Sequence, residues 1–235
     1  MTCRAGEVTC IVGPTGSGKS RFLADIESLA QGDTVTGRRI LINGAPVAPS
    51  AVQSTGQKLV AQLSQQMNFV VDLSVEEFLL LHAESRLSPD PDGIVRAILV
   101  AANNLSGEKF TGSVSVTQLS GGQSRALMIA DTALLSSSPI VLIDEIENAG
   151  IDRRKALELL VQKEKITFIA THDPVLALIG SRRLWFRDGG IAGIIVPDKQ
   201  ERESAAYVRQ MDEQWARWRE MIRNGKLLHI DPDGR

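Results

Sequence analysis

Residues 13–20, Gly13-Pro14-Thr15-Gly16-Ser17-Gly18-Lys19-Ser20, constrain this chain more than any other segment. Their spacing, Gly-x4-Gly-Lys-Ser, is that of a phosphate-binding loop. Its glycines let successive backbone N–H groups converge on phosphate oxygens, and the positive end of a following helix adds to the pull. Lys19 is placed to reach the β- and γ-phosphates, and the Ser20 hydroxyl to ligate Mg²⁺. The mechanism needs a strand before such a loop and a helix after it. Val8-Thr9-Cys10-Ile11-Val12 is a β-branched apolar run, and Phe22, Leu23, Ile26 and Leu29 recur at helical spacing over 19–29, with Gly32 expected to close the helix. That order favours a nucleotide site over a plain glycine-rich turn.

Downstream, 39–44 reads as a strand running into a turn, and 58–64 as a strand leading to Gln65. The pattern turns helical over 74–102, with a capped start at Ser74-Val75-Glu76-Glu77 and a break at Asp90-Pro91-Asp92-Gly93. A helix is expected over 122–135. The short apolar runs 140–143 and 166–170 suit strands of a buried parallel sheet. Strands alternating with helices define an α/β layered domain with a mostly helical insertion at about 74–117.

Strand 140–143 runs directly into Asp144 and Glu145. The carboxyl end of a strand in a parallel sheet is where ligands bind. Asp144 is placed to hold Mg²⁺, and Glu145, one residue on, to act as general base on an attacking water. An acidic loop capping a strand is the plainer reading; a phosphate loop in the same domain counts against it.

Composition excludes several classes. A net charge of -2 and a pI near 6.0 leave no global basic footprint, and no dense Lys/Arg run suggests nucleic acid. Ser181-Arg182-Arg183 with Arg187 reads as a solvated loop. No apolar run approaches the roughly 20 residues that cross a bilayer, so no direct membrane insertion is expected and work at a membrane would need another chain. Cys3 and Cys10 are close enough in sequence to pair, although two packing thiols of a reduced, cytoplasmic protein fit better.

Leu119-Ser120-Gly121-Gly122-Gln123 is identical to the signature motif of ATP-binding cassette (ABC) ATPases and lies between the phosphate loop and the acidic strand, as in that family. Gln65 resembles the Q-loop glutamine, Asn148-Ala149-Gly150-Ile151-Asp152 sits where the D-loop should be, and His172 resembles the switch histidine. The resemblance covers roughly residues 5–190. It implies a P-loop NTPase fold with a mostly parallel core sheet, a small β subdomain and the helical insertion, spanning 1–198, with 199–235 as a helical tail. It further implies ATP and Mg²⁺ as cofactors, with Ser20, Gln65 and Asp144 around the metal and Glu145, Gln65 and His172 around the attacking water. Ser120, Gly121, Gly122 and Gln123 would serve the ATP of a partner copy, in a head-to-tail homodimer or a pair with a related subunit. The work done would fall on a membrane permease, from a position at the inner face of the membrane. A soluble ATPase that drives assembly or activation of a protein or metalloenzyme is the alternative.

The pattern is also broken in three places. Only twelve residues precede Gly13, none of them aromatic, where the family usually carries two strands and an adenine-stacking ring. Ile146 replaces the usual proline, and the segment to Asp152 is one residue long. The stretch from Gln123 to Pro139 is about two residues longer than usual. These mark an outlying branch. Over 199–226 a charged helix is expected, with Tyr207, Met211, Trp215, Trp218 and Ile222 on one stripe that either packs on its own domain or docks a partner.

Overall fold

The computed structural model describes residues 1–47, 58–64, 69–144 and 150–229. Gln65 and Glu145, and Asn148 and Ala149 of the D-loop segment, lie outside the described residues.

The core is a six-stranded sheet in the order β4-β5-β6-β1-β7-β8. Its strands are β1 (Val8–Val12), β4 (Val60–Leu63), β5 (Ile140–Asp144), β6 (Ile166–Ala170), β7 (Arg182–Arg187) and β8 (Gly190–Ile195). Every pairing is parallel except β7 with β8. Alternate side chains go to opposite faces, so each strand feeds two cores. Cys10, Leu63, Val141, Ile143 and Ile169 face one layer, while Ile11, Val60, Leu142, Phe168, Leu184 and Phe186 face the other.

The helices sort by face. Helix α1 (Lys19–Glu27) buries Phe22, Leu23 and Ile26 in the second layer. Helices α4 (Gly121–Leu134), α5 (Arg153–Gln162) and α6 (Pro174–Ile179) send Ala126, Ile129, Leu157, Leu160 and Leu176 into the first. Between β4 and α4 run α2 (Val75–Ser85) and α3 (Pro91–Leu105), whose Phe78, Leu79, Val95 and Ile98 form a third core with Leu127 and Ala130 of α4. Ser74 and Glu77 close the expected capping box, and Pro91 opens α3 at its first turn behind Asp90 as cap. β2 (Leu41–Ile42) and β3 (Ala45–Pro46) make a separate hairpin, its turn at Asn43 and Gly44 with φ of 52° and 81°.

Two expectations need correction. Helix α1 stops at Glu27, short of Gly32, because Leu29 takes the left-handed conformation (φ 52°) and Ala30 N–H reaches back to Asp25 O at 2.9 Å. The same closure ends α2 on Leu87 and α5 on Glu164, at φ of 53° and 54°. Leu87 is 89% exposed, so it gives up no packing as glycine. Leu87→Gly is expected to stabilise the protein by about 0.5–1 kcal/mol, raising Tm by roughly 1–4 °C in a thermal melt. A lowered Tm would show that the left-handed turn carries no penalty. The second correction concerns the arginines at 182–187, which form strand β7 and not a solvated loop. Arg183 is buried and pairs with Glu201 at 2.5 Å; Arg182 pairs with Glu7 at 3.0 Å.

Both cysteines are free. Cys10 lies in the first layer and its thiol donates to Leu176 O at 3.1 Å, whereas Cys3 packs against the second. Burial pushes the Cys10 thiol up to about 11, which leaves it unreactive.

The tail is one helix, α7 (Lys199–Arg223), with no buried residue. Glu201 and Asp212 tie it to Arg183 and Arg153. Tyr207, Met211, Trp215 and Ile222 stay exposed, and Trp218 meets Trp215 edge to face at 5.1 Å. Among the described residues no helix is long and apolar enough to cross a membrane.

Candidate functional site

Three motif segments converge on one edge of the sheet because the central strands are parallel. Ile11 of β1 and Asp144 of β5 both pair with Ala170 of β6, so the phosphate loop, Asp144 and the turn bearing His172 leave the sheet at the same level. β4 pairs with the same strand as β6 does, β5, and ends at Leu63 beside Ile143.

The loop itself depends on its glycines. Gly13, Gly16 and Gly18 have φ of 149°, 79° and 97°, where side chains are disfavoured. A Cβ on Gly13 would fall 2.4 Å from Phe186 O, so β7 closes the wall of the loop and only glycine fits. The β7–β8 turn also touches it, Gly189 N–H donating to Ser17 O at 3.2 Å. Lys19 is buried, and its ammonium donates to Gly13 O at 2.8 Å and Pro14 O at 3.0 Å, which holds it across the mouth of the loop. Pro14, Thr15 and Gly16 are exposed at the rim, as is Ser20 in the first turn of α1; Ser17 is buried beneath them.

Arg38 was not legible as part of this site. Its guanidinium donates to Asp25 of α1 at 2.8 Å and to Gly189 O at 2.9 Å, and lies over the rings of Phe22 and Phe186. It staples the β7–β8 turn to the helix behind the loop. Burial of the Asp25 carboxyl opposes its ionisation, but hydrogen bonds from Arg38 and Thr36 outweigh it and hold the group below the usual carboxylate range. An open groove of about 900 Å³ runs beside α1, lined by Ser20, Arg21, Asp25, Thr34 and Val35 among others, with no aromatic ring among its lining residues.

Asp144 is half-buried and His172 exposed, both engaged in further interactions. The His172 turn is pinned on either side: Thr171 N–H donates to Ile11 O at 3.1 Å, and Asp173 N–H donates to Thr171 Oγ1 at 3.0 Å. Ser20 and Asp144 supply a hydroxyl and a carboxylate, the hard oxygen donors that suit Mg²⁺. No cluster of three or more His, Cys, Asp or Glu suited to a metal occurs among the described residues.

The signature segment is built as a helix start. Ser120 caps α4, its Oγ accepting from Gln123 N–H at 3.3 Å while Ser120 N–H donates to Gln123 Oε1 at 2.9 Å. Gln123 is thus spent on the cap. Gly121 is exposed, with open space where its Cβ would be. This helix start belongs to α4, on the sheet face opposite α1, the helix that follows the phosphate loop. Asp152 likewise caps α5, accepting from Lys155 N–H at 3.1 Å.

A strand, a glycine-walled loop closed by a buried lysine, and a carboxylate at the end of a neighbouring parallel strand define a P-loop nucleotide-binding domain. The ABC transporter family profile matches residues 1–148. An uncharacterized ABC transporter ATP-binding protein of Methanocaldococcus jannaschii is 49% identical over 232 residues, covering 98% of this chain and 88% of that protein. The lipoprotein-releasing system ATP-binding protein LolD of Anaeromyxobacter dehalogenans is 31% identical over 222 residues, covering 88% and 86%. A β-(1→2)glucan export ATP-binding/permease protein of Agrobacterium fabrum matches 73% of this chain, which spans only 29% of that protein. Among solved structures, cbiO1 from Clostridium perfringens superposes with a TM-score of 0.64 at 22% identity, covering 95% of this chain and 90% of that one. A dimeric ATP-binding cassette bound to ADP and phosphate superposes at 0.62 with 24% identity, covering 83% and 88%. This chain belongs to the ABC transporter family, as an ATPase of its ATP-binding subunits.

Proposed function

We propose that two copies of this chain, or one copy and a related subunit, close on Mg–ATP and that the closure drives a membrane permease. Gly13, Pro14, Thr15, Gly16, Ser17 and Gly18 line the phosphates with backbone N–H groups, and Lys19 pairs with their charge. Ser20 and Asp144 hold Mg²⁺, with Gln65 contacting the ion or the attacking water. Bound there, the metal offsets charge on the β- and γ-phosphates. Glu145 takes the proton of the attacking water, and His172 steadies the γ-phosphate. Ser120, Gly121 and Gly122 of the other copy present helix N–H groups to that phosphate. Gln123 contributes by holding Ser120 in the cap. The chain itself would be cytoplasmic, peripheral at the inner face of the membrane.

The placement of the signature helix across the sheet from α1, the helix that the phosphate loop opens, is the observation that carries the two-copy reading. The permease reading draws support from relatives such as LolD of a lipoprotein-releasing system. Co-purification from the native host tests it, and recovery of soluble proteins with no membrane component would favour the assembly ATPase instead.

The two-copy site has a direct test. Gly121→Glu places a carboxylate at the expected phosphate without disturbing the fold, since its Cβ meets open space. Gly121→Glu and Lys19→Ala chains are each expected to be inactive. Mixed, half the dimers pair one of each, and each such dimer has one intact site, so up to about a quarter of wild-type turnover returns. No recovery on mixing would sink the shared site.

A further inference from the structure

Arg153 opens α5 and forks between two carboxylates from distant parts of the chain. One guanidinium nitrogen pairs with Asp173 and the other with Asp212, the latter at 2.8 Å. The Arg153 side chain is 19% exposed, so the pair is partly shielded from water and worth more than a surface contact. The planar guanidinium offers each carboxylate its own nitrogen in a fixed fork, whereas a lysine ammonium is a single rotatable point charge.

Asp173 adjoins His172. Its Oδ1 accepts from Val175 N–H at 2.7 Å and Leu176 N–H at 3.2 Å, so its carboxylate caps α6 while its own N–H holds Thr171. The orientation of this one carboxylate therefore fixes the turn from which His172 projects. Asp212 lies on α7, a helix with no buried residue.

We propose that Arg153 is a positioning residue that couples α7 to the His172 turn, so that the seating of the tail helix sets the rate of ATP turnover. The coupling deepens the assignment of His172 to the γ-phosphate and rests on it. With Asp212 in place, the guanidinium is held from both sides and keeps Asp173 oriented. When α7 lifts, Arg153 retains one partner, regains rotamer freedom, and the cap on α6 loosens. A bistable contact of this kind lets the tail act on chemistry it does not touch.

The full-length Asp212→Asn variant tests this. Hydrogen exchange at the Val175 and Leu176 amides is expected to quicken without nucleotide. kcat for ATP is expected to fall about three- to tenfold, with KM changed by less than about twofold. Arg219 also approaches Asp212, at 3.7 Å, but does not contact Arg153. Arg219→Ala is expected to leave both readouts at wild-type values. Unaltered exchange in Asp212→Asn, or equal changes in Arg219→Ala, would overturn the coupling. The exchange readout needs no hydrolysis, so a wild-type chain without turnover would count against the site assignment and leave the coupling to the amides.

Discussion

Turnover of the Glu145→Gln variant is expected to fall by about 10²- to 10⁴-fold, the usual contribution of a positioned general base. Glutamine matches glutamate in shape but takes up no proton at pH 7. ATP and Mg²⁺ should therefore still bind, and the closed two-copy state should persist because the step that opens it is blocked. Light scattering with Mg–ATP should report twice the monomer mass for this variant and a smaller, transient shift for the wild type. Asp144 ends β5 in register with Ala170, and Glu145 follows it in the sequence. Unchanged turnover would remove Glu145 from that role.

Lys19→Ala is expected to weaken ATP binding by about a hundredfold or more. Charge-assisted hydrogen bonds contribute about 1.5–3 kcal/mol each, and 1.4 kcal/mol is tenfold in affinity. The substitution also strips Gly13 O and Pro14 O of the donor that now bonds both, at 2.8 and 3.0 Å. Loop geometry and phosphate charge are thus lost together. Calorimetric titration with Mg–ATP gives the affinity, and the loss of ATP-induced thermal stabilisation gives an independent check. Affinity equal to the wild type would contradict the phosphate cradle.

The parts of this molecule that local chemistry dictates were legible in its sequence. The strand-loop-helix around Gly13, the capping box at Ser74 and Glu77, and the two apolar strands at 140–144 and 166–170 each follow from spacing that no distant contact has to supply. The misreadings arose where tertiary context overrode local signals. Leu29 holds a left-handed turn that sequence logic reserves for glycine, because the loop to β2 must leave α1 there. Arg182 and Arg183 look solvated until Glu7 and Glu201 arrive from either end of the chain to neutralise them inside a sheet. Arg38 stands in a segment without a motif, and its role exists only once the β7–β8 turn is brought against α1. The capping of Ser120 by the Gln123 side chain likewise shows only in the folded chain.

The strand order carries a cost in time. β1 precedes the other strands of the sheet in the chain yet lies mid-sheet, and both its neighbours, β6 and β7, come late. At roughly 5–20 residues per second, the first strand waits on the order of ten to thirty seconds for any partner. Over that interval Val8, Cys10 and Ile11 remain an unpaired apolar edge, open to pairing with another nascent chain. Synthesis is thus a stage at which this fold is exposed to aggregation, and the glycine loop gains its last wall only when β7 arrives.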